Sequence, residues 1–156
     1  MEELAKNLGD VFYVATPKIL FGASVGKHYR HIIEFYQSLI NGLPNGTINY
    51  DKRNRDIRIE NDINYAMQMI VELKNQLSLM SNADSKPLVV EYEYDNHTIS
   101  SVSSSARELI FCIEHCVHHL AILKVAIHAA FEDVNVSETL GVAHSTLSYQ
   151  QSIQQS

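Results

Sequence analysis

The sequence predicts an all-α protein, a bundle of four long helices with one small β-hairpin ahead of the last long helix. Three observations predict it. Apolar residues recur at helical spacing in four separate stretches. Gly and Pro number only six and three in 156 residues, so little punctuation interrupts those stretches. One short segment, Leu88 to Tyr94, alternates instead with the period of a strand. A chain of 156 residues fits a single domain, 1–156, large enough to bury a real core. A polar tail follows from about residue 135.

Residues 2 to about 16 form the first amphipathic helix, with Leu4, Leu8, Val11, Phe12 and Ala15 as its buried stripe. Pro17 and Gly22 punctuate its end. Ser24 then caps a second helix that runs to about Gly42. His28, His31, Ile32, Phe35, Tyr36 and Leu39 share one side of it, while Lys27, Arg30, Glu34 and Gln37 face away. The polar connection that follows is long for a compact domain, and such loops either cross a bundle or serve a site. Its Tyr50, Asp51, Arg53, Arg55 and Asp56 read as a solvated crossover held by its own ion pairs. A third helix fits from about Arg58 to Met80, with Ile59, Ile63, Ala66, Met67, Ile70, Leu73 and Leu77 inward, and SNADSKP (81–87) ends it. Leu88, Val90, Tyr92 and Tyr94 make one arm of a hairpin. Asp95-Asn96 turns the chain, and Thr98 to Val102 return it.

The last long helix spans Ser103 to about Phe131, with Ser105 and Glu108 in the spacing of a capping box. It is apolar on most sides, which marks a helix buried on most sides. His115 and His119 stand one turn apart on one stripe, which Cys112 and Glu108 extend. His-x-x-x-His presents two nitrogens that can converge on a metal. The competing reading is a set of core histidines hydrogen-bonded to a carboxylate or carbonyl, and it applies equally to the inward His31. Cys112 and Cys116 also lie a turn apart on this helix, where a disulfide would staple nothing; both read as small apolar fillers, with Cys116 an outside candidate for a fourth ligand.

Taken in order, these motifs resemble the DinB/YfiT-like superfamily. The residues that carry the resemblance are Ser24, His31, Ile32 and Glu34 in the second helix, and Tyr50, Asp51, Arg53, Arg55 and Asp56 in the loop. Ser104, Ser105, Arg107, Glu108 and Leu109 follow, then His115, His118 and His119, and the tail from Leu140 to Tyr149. The resemblance covers nearly the whole chain. It implies an up-down-down-up four-helix bundle with a long crossover between the second and third helices. It also implies a divalent metal, zinc or nickel, held by His31, His115 and His119, with His28 and His118 beside the site or at the surface. Characterised relatives include thiol-dependent transferases, isomerases and hydrolase-like proteins, and many others have no assigned activity. The family's name refers to a damage-inducible gene and does not imply binding of DNA.

Three imidazoles leave a divalent ion at least one open position, as in catalytic zinc sites. Water or a thiol bound there becomes a nucleophile at neutral pH. Each ligating ring needs an acceptor for its second nitrogen, and Glu34, Glu108 and Glu114 are the carboxylates near in sequence. The expected function is a metal-dependent enzyme, a thiol-dependent transferase or hydrolase, acting on a small molecule such as a low-molecular-weight thiol. The alternative is a metal-binding protein without turnover, such as a sensor. A net charge of −6 disfavours binding to phosphate backbones. A helix-turn-helix reading of ETLGVAHSTLSY lacks a preceding helix and basic residues, and nothing favours a bis-histidine haem. No secretory signal and no run of about 18 apolar residues are apparent, so no membrane partner is expected and the cytoplasm is the default compartment. A homodimer is expected, because bundles with a broad apolar face often pair two-fold.

Overall fold

Ser24 begins the element on which the others pack. In the computed structural model, which describes residues 1–80, 85–131 and 134–154, its side chain accepts the Lys27 N–H at 3.0 Å and starts α2 (Val25–Gly42). Before it come α1 (Glu2–Val14) and a 3-10 turn (Lys18–Leu20). After it come β1 (Thr47–Asn49), α3 (Ile57–Asn61), α4 (Ile63–Ser78), β2 (Pro87–Tyr94), β3 (His97–Ser104), α5 (Ser105–Ala130) and α6 (His144–Gln154).

The all-α expectation is overturned. Among the described residues, six α-helices are accompanied by a three-stranded mixed sheet in the order β1-β2-β3, so the fold is not an all-α four-helix bundle. The hairpin is where the alternation puts it. Its turn residues Asp95 and Asn96 take positive φ of 47° and 61°, the geometry a two-residue hairpin loop needs. The third strand lies inside the polar connection. Thr47–Asn49 pairs parallel with β2, Ile48 opposite Val90, and three residues are too few to display a period.

Several boundaries shift for local reasons. Gly9 breaks the helical path of α1 with φ 67° and ψ 170°, so the stripe changes phase beyond it. Tyr13 is therefore fully buried and Val11 is 77% exposed, the reverse of the reading that ran one periodicity through the glycine. The third helix is two helices, because Asp62 leaves helical geometry to accept the Asn64 and Tyr65 N–H groups and cap α4. The stretch 81–84 assigned to its end lies outside the described residues. The N-cap of α5 is Ser104, one residue before the predicted capping box, and Glu108 is turned inward instead.

Two apolar clusters result. One joins Leu4, Leu8, Tyr13, Tyr29, Ile33, Ile63, Ile70, Leu123 and Ile127 from α1, α2, α4 and α5. The other joins Phe35, Leu39, Ile48, Tyr50, Leu88 and Cys112 between α2, the sheet and α5. Contrary to the reading of the apolar runs, α5 is long and apolar enough to cross a membrane by length and composition, with a mean hydropathy of 1.6 over its best 18 residues. It packs on α2 and β3 and carries the fully buried carboxylate of Glu108.

Gly26 sets how closely α3 approaches α2. A Cβ placed there would sit 2.0 Å from the Glu60 carbonyl oxygen, a backbone atom that cannot swing aside. Gly26→Ala is expected to cost about 3 kcal/mol of stability or more, the upper range for overpacking, read as a lowered denaturant midpoint. An unchanged midpoint would show that the α2–α3 approach is not held closed by packing.

Candidate metal centre

Helical geometry brings the three predicted ligands together. His31 on α2 faces His115 and His119 on α5, and one ligand atom from each lies within 4.8 Å of the others. The Nε2 atoms of His31 and His115 are 2.8 Å apart, and the three rings are mutually in contact at centroid separations of 4.6–4.9 Å. Donor nitrogens that meet at one point on two packed helices are compatible with a metal ion, and among the described residues no other group of this kind is found.

His28 supplies what the sequence reading sought among carboxylates. One helical turn before His31, its Nδ1 meets Nδ1 of His119 at 2.9 Å. With Nδ1 of His119 engaged by His28, Nε2 is the nitrogen left to a ligand position, and the pairing orients the ring. None of the three carboxylates has a hydrogen bond to these rings. Glu34 accepts the Asp56 N–H at 2.7 Å, and Glu114 is exposed. Glu108 accepts from Tyr50 Oη at 2.9 Å, Ser103 Oγ at 2.5 Å and Arg107 Nη1 at 2.7 Å. The bond to Tyr50 pins the start of the crossover loop to α5. His118 sits at the surface beside His119, with ring centroids 5.3 Å apart.

Aromatic packing holds the rings. Phe35 is the platform: His115 stacks on it at 4.1 Å, Tyr50 at 4.9 Å, and the Arg53 guanidinium lies over it at 4.7 Å. Neither cysteine joins the cluster. Cys112 is buried against the Phe35 carbonyl and Tyr50 Oη, and burial pushes its thiol up to about 11. Cys116 lines a separate apolar cavity of about 200 Å³ with Ile32, Tyr36 and Leu73, so its candidacy as a fourth ligand fails.

The crossover loop departs from the solvated ion-paired connection expected of it. Tyr50 is buried, and the Arg53 side chain is 15% exposed, donates to the Tyr50 carbonyl and lies 3.8 Å from Glu34. Arg53, Arg55, His31 and His119 share the wall of a cavity of about 280 Å³ with Lys27, His28, Arg30 and Glu34. Sequence reasoning passed over Arg53 as a site residue and placed His28 beside the site or at the surface; it lies beside the site, against His119. The signal for His28 was present, since i and i+3 on a helix share a face.

The electrostatics favour neutral imidazoles. Burial, then the neighbouring Arg53 and His115, push His31 down to about 4. Burial, then His31 and His115, push His119 down to about 3. His115 is lowered by burial, His118 and Arg53, and His28 by burial, Lys27 and His118. Neutral imidazole is the form that ligates metal, so few protons have to be displaced near pH 7.

No family model matches the chain, and no solved structure matches it. Over 116 residues it is 34% identical to a protein named FK506-binding protein 5 from Rhizopus delemar. The alignment covers 69% of this chain and 29% of that protein, so the chain spans less than a third of the relative's length.

The lowered histidines carry a pH signature. A group whose folded pKa lies below its unfolded value of about 6.5 binds fewer protons when folded, so stability rises with pH between the two values. Stability is therefore expected to fall as pH drops from about 6.5 toward 4, the window set by His31. The double variant His31→Gln, His119→Gln should flatten that slope in denaturant unfolding measured in metal-free buffer. An unchanged slope would mean that the folded rings titrate like solvent-exposed histidine.

Proposed function

We propose that the chain is a metal-dependent enzyme of the DinB/YfiT-like kind, a thiol-dependent transferase or hydrolase, with His31, His115 and His119 as ligands to zinc or nickel. The observation that carries this reading is the convergence of three histidine donors, two of which, His31 and His119, line the wall of a cavity rather than a sealed core. A structural site closes four protein ligands around its ion, whereas a catalytic one keeps a position open. Here the cluster offers three ligands, and among the described residues neither cysteine nor any carboxylate completes it. A divalent ion bound there would supply Lewis acidity, activating a thiol or a water at neutral pH.

The chain's own groups have definable tasks. His28 orients the His119 ring through the Nδ1 pairing. Phe35 fixes the plane of His115 and, with Phe111 at 5.7 Å from that ring, shields one side of the cluster from water. Arg53 places a fixed positive charge beside His31 and His115 without touching their nitrogens by a hydrogen bond. The order of motifs from Ser24 to His119 supports the kinship. The 34% match to FK506-binding protein 5 covers too little of that protein to bring FK506 binding to this chain.

A reading as a metal-binding protein without turnover shares the same ligands and differs only in whether the cavity admits a substrate. A second copy is the proposed partner. Ile110 and Val125 on α5 are each 61% exposed, with Ile113 between them, leaving an apolar flank uncovered.

His119→Ala should lower metal content by orders of magnitude while the helices stay folded, since apolar packing persists without the ligand. Metal stoichiometry and thermal unfolding on one untagged preparation, with and without added zinc or nickel, check this. A variant that unfolds early yet binds metal like the parent would show the histidines to be structural. Sedimentation velocity at micromolar concentration should give a dimer that Ile110→Lys converts to monomer; a monomeric parent removes the pairing.

A further inference from the structure

Resting on the metal reading above, we infer that the ligand of this site is a small anion-bearing molecule. One atom of it meets the metal, and a separate carboxylate or similarly charged group is held by Arg53, Arg55 and Lys27. The charge inventory of the cavity carries this. Four cations, Lys27, Arg30, Arg53 and Arg55, line it against one carboxylate, Glu34, in a chain whose net charge is −6. The concentration of positive charge is therefore local and runs against the composition.

Not all four are spoken for. Arg30 Nη1 pairs with Glu60 at 2.7 Å. Arg53 donates to the Tyr50 carbonyl and lies over Phe35, and its Nε faces Glu34 at 3.8 Å, beyond hydrogen-bond distance, so its charge is only loosely matched. An incoming carboxylate gives the guanidinium a closer, charge-assisted partner. Arg55 donates to the carbonyls of Asp51 and Arg53, acceptors that orient the guanidinium without cancelling its charge. Its backbone takes φ 52°, the left-handed region that side-chain-bearing residues enter at a cost, and this conformation turns the chain beside the cavity. Lys27 and Arg55 form no ion pair among the described residues.

The placement sorts ligands by charge. His31 and His119 lie on the same wall as Arg53 and Arg55, so one small molecule can reach both groups inside about 280 Å³. Neutral ligands would leave the excess positive charge of the cavity unmatched, and cationic ones would meet net repulsion. The selection is thus for molecules carrying a metal-seeking atom and an anionic group a few bonds apart, of which mercaptocarboxylates are the simplest.

Cobalt-loaded protein gives the test, because the visible spectrum of the ion reports ligand number and thiolate binding separately from any activity. The probes are 3-mercaptopropionate and 3-mercaptopropanol, which share the thiol and differ in the charged end. The carboxylate is expected to bind about tenfold tighter or more, the worth of one charge-assisted hydrogen bond, with the advantage shrinking as salt is raised. The exposed pair Lys27→Gln, Arg55→Gln should erase the preference while leaving the cobalt spectrum and the affinity for 3-mercaptopropanol as in the parent. Equal binding of the two thiols to intact cobalt protein, or a preference that survives in the exposed pair, overturns the anion inference and leaves the metal reading standing. Failure of the parent to bind cobalt through three nitrogens overturns the metal reading and this inference with it.

Discussion

The seating of α5 on α2 is the contact on which the rest depends. Three things are fixed by it at once: the apolar core through Tyr29, Ile33, Leu123 and Ile127, the aromatic platform through Phe35, and the meeting of imidazoles from both helices. His28 and His31 are three residues apart, as a helix turn requires for one face, and His115 and His119 are four apart for the same reason. Two parallel ladders of rings therefore oppose each other, His31 to His115 and His28 to His119. A rotation of either helix by one residue, about 100°, would dissolve both pairs together.

Around that contact, polar groups buried without water are satisfied by segments distant in sequence. Glu108 gathers donors from the loop, the hairpin and its own helix. Glu34 takes the backbone of Asp56 and faces Arg53. Such placements explain why the crossover is ordered although it is polar. They also explain the electrostatic character of the centre: Arg53, held for packing over Phe35, helps keep the neighbouring imidazoles unprotonated while presenting positive charge to the cavity.

Long, strongly periodic elements were legible. The second helix and its Ser24 cap, the last long helix, the hairpin turn at Asp95-Asn96 and the inward set His31, His115 and His119 all follow from spacing or from motif order. What escaped did so for identifiable reasons. Thr47–Asn49 is shorter than any period, and its strand exists only because β2 offers an edge. Gly9 and Asp62 each interrupt a helix by backbone geometry, which a stripe of apolar residues does not reveal. Glu34 was placed on the outward side of its helix and Arg53 in a solvated loop, yet a charged side chain is buried wherever a specific partner waits for it, and that partner lies on another element. The hydrogen-bond partner of His119 proved to be an imidazole from the helix opposite, His28, whose place on the His31 face was legible although its pairing was not.

The two carboxylates that order the crossover also set a length. Tyr50 is tied to Glu108 on α5 by its hydroxyl, and Asp56 is tied to Glu34 on α2 by its amide. The residues from Asp51 to Arg55 thus hang between two fixed posts, a bridge rather than a loop. Posts of this kind tolerate changes of side chain along the span far better than changes in the number of residues, because each residue adds or removes up to about 3.5 Å of reach. Insertions and deletions in descendants of this sequence should accordingly collect elsewhere in the chain, and the bridge should keep its count of five.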